Sequence, residues 1–103
     1  MSRYMIDGRA FETKDAKQKF EEGNRWDGRN HISLATGSQW EHETLYLSKK
    51  DQWYIVHLSV IPGHIDYAIC VDCDQAAQWL LCNEYELEDM PADLRLIAEA
   101  NCE

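Results

Sequence analysis

Glycine and proline are scarce in this chain, at five and two residues, which excludes a collagenous or low-complexity polypeptide. No run approaches the roughly 18 to 20 apolar residues of a membrane-spanning helix. The opening "MSRYMIDGRAF" lacks the apolar stretch of a secretory signal. Catalytic motifs are missing too. There is no glycine-rich phosphate loop, "ATGSQW" has glycine only before its serine and is no nucleophile elbow, and "HETLY" lacks the second histidine of a zinc-protease helix. Basic residues nearly vanish from the last third, where Arg95 stands alone after residue 65 against ten acids. Because residues 1–65 hold nine acids and nine bases, this segment accounts for the whole net charge of −9. A field of that sign repels nucleic acid and anionic lipid and attracts basic surfaces.

What is present suits a folded protein. Apolar residues make up 45% of 103 and aromatics 11%, enough to bury one modest core, so residues 1–103 are expected to form a single compact domain. The expected compartment is the cytoplasm, where four cysteines are expected as free thiols.

Local patterns predict the elements. Asp7-Gly8 is the dipeptide that best suits a two-residue type I′ turn, so strands are expected at about 3–6 and 9–12. Thr13 is positioned to cap a helix "KDAKQKFEE" ended by Gly23, with Ala16 and Phe20 on one face. On that helix Lys14 and Lys17 would share a solvated face with Glu21. Residues 23–38, rich in Gly, Asn and Ser without a clear period, read as a loop. The alternation in "ETLYLSKKDQWYIVHLS" gives two strands around a Lys-Lys-Asp turn. Pro62-Gly63 turns the chain again and "HIDYAICV" supplies a third strand. Asp72 and Gln75 form a capping box for a helix whose apolar face is Ala76, Ala77, Trp79, Leu80 and Leu81, and Asn83 suits the left-handed residue that ends it. Pro91 suits the first turn of a last helix carrying Leu94, Ile97 and Ala98. The fold class expected is α+β: an N-terminal β-hairpin and helix, a three-stranded antiparallel meander, and two C-terminal helices packed on the sheet.

Cys70-x-x-Cys73 has the spacing used by zinc ribbons and thiol redox enzymes. Structural zinc needs four ligands about 2.3 Å from the metal. Cys82 lies nine residues beyond Cys73, about 13 Å of helical rise, and His57, His64 and Cys102 have no partner at ligand spacing. Asp72 and Asp74 surround Cys73 with negative charge, which opposes the thiolate that redox chemistry requires. The pair therefore reads as a buried strand residue, Cys70, followed by a first-turn helix residue, Cys73. No metal or other cofactor is expected.

Glu41 and Glu43 flank His42, a combination suited to acid–base chemistry, but strand alternation points His42 away from both. Trp26 between Arg25 and Arg29 combines an aromatic with guanidinium groups, as interface anchors do. The favoured expectation is that Trp26 tucks under its own loop, with a binding role for Trp26, Arg25 and Arg29 as the alternative. The acids Glu84, Glu86, Glu88, Asp89 and Asp93 form the other candidate surface, fit for a partner with a basic face.

The segments "ETLYLSKKDQWYIVHLS" and "DQAAQWLLCNEYEL" resemble a pattern of small uncharacterised bacterial proteins carried on plasmids and other mobile elements. That pattern pairs Glu-Thr-Leu-Tyr, a basic turn and an aromatic strand with an Ala-Ala-x-Trp-Leu helix. It covers about residues 43–87, and Lys50-Asp51 stands where the family has Lys-Gly or Arg-Gly. The resemblance implies accessory mobile-element biology and carries over no catalytic residue.

These readings converge on a non-enzymatic acidic interaction protein that binds or inhibits a host or rival nucleic-acid-processing complex, with an anti-CRISPR-like inhibitor as the specific form. The protein partner would present a basic surface, and neither direct nucleic-acid binding nor a membrane is expected. A CxxC metal or redox module and an antitoxin or regulator of a basic partner are the alternatives.

Overall fold

The N-terminal turn forms as its dipeptide requires. Asp7 and Gly8 both adopt positive φ, 51° and 81°, and join β1 (Arg3–Ile6) to β2 (Arg9–Glu12) with Ile6 opposite Arg9. The computed structural model describes residues 3–60, 63 and 66–101.

The helix expected after this hairpin does not form. A single 3-10 turn, Thr13–Asp15, leads into β3 (Gln18–Glu21); Glu12 occupies the capping position that Thr13 was expected to take, and its side chain makes no cap bond. Burial overrides helix propensity here. As a strand, β3 pairs antiparallel with β6 (Glu41–Leu47), which sets Phe20 opposite Leu45 and packs it, half-buried, against the core. The Phe20 ring lies 6.1 Å from that of Trp53 and meets Tyr85 edge-on at 5.6 Å. A helix with only Ala16 and Phe20 on its inner face would bury less. The expected solvated helix face also dissolves: Lys17 pairs with Asp51, Lys14 with Glu12, and Lys19 with Glu21. Charged side chains along β3 suit an outermost strand.

The sheet therefore has four strands, not three, in the order β3-β6-β7-β8, with β7 spanning Trp53–Ser59 and β8 spanning Tyr67–Cys70. All neighbours are antiparallel. The expected Lys-Lys-Asp turn joins β6 to β7. Ser48 accepts from Gln52 and Lys50 backbone N–H groups, and Asp51 takes φ 66°. β8 is shorter than the eight residues expected. His64 and Ile65, its expected start, lie outside the described residues, as does Pro62 of the expected turn; Gly63 has φ 89°. Residues 24–33, expected as loop, hold a two-stranded arm of β4 (Asn24–Trp26) and β5 (His31–Ser33).

Asp72 forms the expected capping box with Gln75 at the start of α1 (Cys73–Cys82). α2 (Ala92–Asn101) begins one residue after Pro91, whose carbonyl accepts from Arg95 N–H. Period-2 alternation gives the sheet two apolar faces. One carries Leu45, Trp53 and Ile55 against Ala76, Ala77, Trp79 and Leu80 of α1 and Leu94 and Ala98 of α2. The other carries Tyr54 and Val56 against Ile6 and Phe11 of the N-terminal hairpin. Helices, sheet and hairpin thus stack in three layers. No helix among the described residues is long and apolar enough to cross a membrane.

Candidate functional site

The acidic surface is shaped by the way α1 stops. Asn83 does not adopt the left-handed conformation expected of it; its φ is −93°, and Glu84 takes that role at φ 63°. Glu84 N–H donates to Leu81 carbonyl and Tyr85 N–H to Leu80 carbonyl, closing a Schellman turn with Glu84 where glycine is favoured. A non-glycine residue there costs about 1 kcal/mol. Asn83 is buried instead. Its side-chain amide donates to Trp79 carbonyl at 2.7 Å and its Oδ1 accepts from Gly23 N–H at 2.8 Å.

Beyond this turn the chain alternates between inward and outward residues. Tyr85, Leu87 and Met90 pack on the core, while Glu84, Glu86, Glu88 and Asp89 are exposed, as is Asp93 in the first turn of α2. Arg95 shapes the segment without neutralising it. Its guanidinium donates to three backbone carbonyls, those of Leu87 (2.8 Å), Glu88 (3.2 Å) and Met90 (3.2 Å). None of the five acids forms an ion pair among the described residues; every ion pair joins residues between Arg3 and His57.

Trp26 departs from the favoured expectation. It does not tuck under its loop: it is 60% exposed on the β4–β5 arm, where its ring meets that of His31 directly opposite, at 5.1 Å between centroids. The tip is fixed by Asp27, whose Oδ1 accepts from Arg29 and Asn30 backbone N–H groups at 2.8 and 2.7 Å. These bonds, Asn30's first, hold its carboxyl below the usual range. Arg25 and Arg29 are exposed beside it. The structure joins the two candidate surfaces at their roots and not at their tips. Gly23, at the base of the arm, meets Asn83, and Tyr85 Oη donates to Glu21 carbonyl at 2.7 Å. A β-carbon at Gly23 would stand 2.7 Å from Asn83 carbonyl oxygen and 2.9 Å from Leu34 Cδ1, so glycine is needed for this approach.

Cys73 starts α1, as expected of a first-turn residue, and is exposed, whereas Cys70 is half-buried rather than buried. Burial pushes the Cys73 thiol up, and Asp93, Asp72 and Asp74 add to the rise. Acids from the beginnings of both helices thus oppose ionisation of one thiol. That environment opposes thiolate chemistry. Among the described residues no group of three or more His, Cys, Asp or Glu side chains is arranged to hold a metal ion.

Sequence reasoning missed a second polar cluster. His42 does turn away from Glu41 and Glu43, but its Nδ1 lies 2.7 Å from Glu22 Oε2. Glu22 also accepts from Ser33 Oγ (2.8 Å) and Glu43 N–H (2.6 Å), fastening the end of β3 to β5 and β6. On the helix side of the sheet, His57 lies 3.4 Å from both Glu41 Oε1 and Glu43 Oε2 and stacks on Tyr67 at 4.7 Å. Glu43 Oε1 accepts from Trp79 Nε1 at 3.1 Å. The signal was the hairpin register: counting outward from Lys-Lys-Asp sets Glu43 opposite His57.

No protein-family model, curated protein or solved structure matches this chain.

Proposed function

We propose that this protein is a non-enzymatic binding module whose α1–α2 connector, with Glu84, Glu86, Glu88, Asp89 and Asp93, docks on the basic surface of a partner protein. The observation that carries the reading is the uncompensated charge: five exposed acids that form no ion pair among the described residues, beside an arginine committed to carbonyls. Glu84 adds support, because an acid occupies a left-handed position that glycine would fill at lower free energy. The partner class that suits such a surface is a protein that itself binds nucleic acid, which the acidic face would displace. An inhibitor of a nucleic-acid-processing complex, anti-CRISPR-like and of mobile-element type, is the specific form of this reading. Trp26, Arg25 and Arg29 on the arm would then contact the rim of the same partner.

The test is capture of partners from the native host, followed by binding measurements on the combined variant Glu84→Lys, Glu86→Lys and Glu88→Lys. Isolated surface charges shift stability by no more than about 0.5 kcal/mol each, so Tm should hold. Binding should weaken at least about tenfold at low salt, mainly through slower association. Unchanged binding in the triple variant would reduce the net charge to a solubility device.

A further inference from the structure

A groove of about 410 Å³ lies between the N-terminal hairpin and the β6–β7 turn. Its volume falls in the range of small-ligand sites, roughly 300 to 1,000 Å³. Its charge runs against that of the protein: Arg3, Arg9, Lys49 and Lys50 line it against Glu12 and Asp15. Arg3 is committed, since its Nε and Nη2 both donate to Glu12 Oε1, at 2.9 and 2.6 Å. Hydrogen bonding from Arg3, the largest cause, holds the Glu12 carboxyl below its usual range. Arg9, Lys49 and Lys50 form no ion pair among the described residues. Arg9 is held in place all the same: its guanidinium sits 5.3 Å from the centroid of the Phe11 ring, and Nη2 reaches Cys70 Sγ at 3.8 Å.

We propose that this groove binds a phosphorylated small molecule of about mononucleotide size, with its phosphates between Arg9, Lys49 and Lys50. A cation stacked on an aromatic ring and lacking a carboxylate is preorganised for an anion. Two adjacent lysines on a fixed turn add charge without fixing geometry, which suits a phosphate group more than a single carboxylate. Ala10 and the edge of Phe11 supply an apolar wall, and Asp15 an acceptor for a sugar hydroxyl. A nucleic-acid polymer is disfavoured, because a long polyanion would also meet the field of the acidic helices. The groove is built from the hairpin and the β6–β7 turn, so the inference is independent of the connector's role.

The experiment is a titration of the full chain with ADP, pyrophosphate, adenosine and a short single-stranded oligonucleotide, followed by backbone amide NMR. ADP is expected to saturate with a Kd below about 1 mM, shifting the amides of residues 9–11 and 48–52. Pyrophosphate should shift the same amides with lower affinity, and adenosine should leave them unmoved. Lys49→Ala with Lys50→Ala should weaken ADP at least tenfold, whereas Arg25→Ala with Arg29→Ala should not alter it. The proposal is overturned if ADP fails to saturate, if its shifts spread equally to Arg25 and Arg29, or if the oligonucleotide binds these residues more tightly than ADP. Because the wild-type titration decides the matter, a variant that fails to fold leaves the test intact.

Discussion

The two faces of the sheet solve the same burial problem with different means. Under α1 and α2, eleven buried residues form one cluster, including Trp53, Trp79, Leu80 and Leu94. Under the N-terminal hairpin only Ile6, Phe11, Tyr54 and Val56 are buried among the described residues. The smaller face also contains the one buried side-chain polar atom without a hydrogen bond among the described residues, Tyr54 Oη. Its rim is laced with ion pairs, such as Arg3–Glu12 and Lys17–Asp51, and exposed pairs contribute at most about 1 kcal/mol each. Stability should therefore reside on the helix face, while the hairpin face is the part that yields first. The exposed charges follow the same division, with unpaired acids outside the helices and the basic groove under the hairpin.

Three measurements bear on that division. The largest effect is expected for Trp79→Ala, which removes a buried ring and the Nε1 donor to Glu43. Denaturant midpoints should fall by the equivalent of about 3 to 5 kcal/mol, and an unchanged midpoint would place the main core elsewhere. Phe11→Ala should destabilise less, by about 2 to 4 kcal/mol, because a small cluster at the margin collapses more readily around the lost volume. Hydrogen exchange in that variant should speed up in β1 and β2 while α1 and α2 stay protected; equal acceleration in both layers would show that the faces unfold as one. The smallest effect is expected for Tyr54→Phe, which should stabilise the protein by about 1 kcal/mol through removal of an unsatisfied hydroxyl. Burial, the main cause, pushes the Tyr54 phenol from 10.0 up to about 12. As pH rises through that interval the unfolded chain loses the proton first, so stability should fall, and the phenylalanine variant should lose less of it. A Tm profile across this range, measured on both proteins, tests the sign.

Elements whose instructions were local could be read from the sequence. Asp7-Gly8, Lys-Lys-Asp and the Asp72–Gln75 capping box each specify a turn or a helix start within four residues, and each forms. The failures share a cause. Lys14 to Glu22 resembles a weak helix until Leu45 and Trp53 offer Phe20 a place in the sheet, and those partners are more than twenty residues away. Asn83 looked like the left-handed residue because its type favours that conformation; Gly23, sixty residues earlier, claims its side chain in another geometry. For the candidate site, the exposure of Glu84, Glu86, Glu88, Asp89 and Asp93 was legible from their charge and from their place in and just after the connector between the two C-terminal helices. The exposed Trp26 was not, since an aromatic in a glycine-rich stretch reads more readily as a plug under its own loop than as an anchor. The basic groove was invisible, because Arg9 and Lys50 meet only through tertiary packing.

The β4–β5 arm is closed at its base by Leu34 N–H donating to Gly23 carbonyl at 2.9 Å, with Asn83 clasping the same glycine. Everything from residue 24 to the tip at Asp27–Asn30 is exposed and leaves the sheet through a single pinned root. Exposed tips of this kind accept insertion and exchange without disturbing the elements beneath them. Sequence drift can thus rewrite the exposed residues 24–31 as a cassette while Gly23, Ser33, Leu34 and Asn83 stay fixed, and a laboratory graft of a foreign hairpin between residues 24 and 31 would follow the same route.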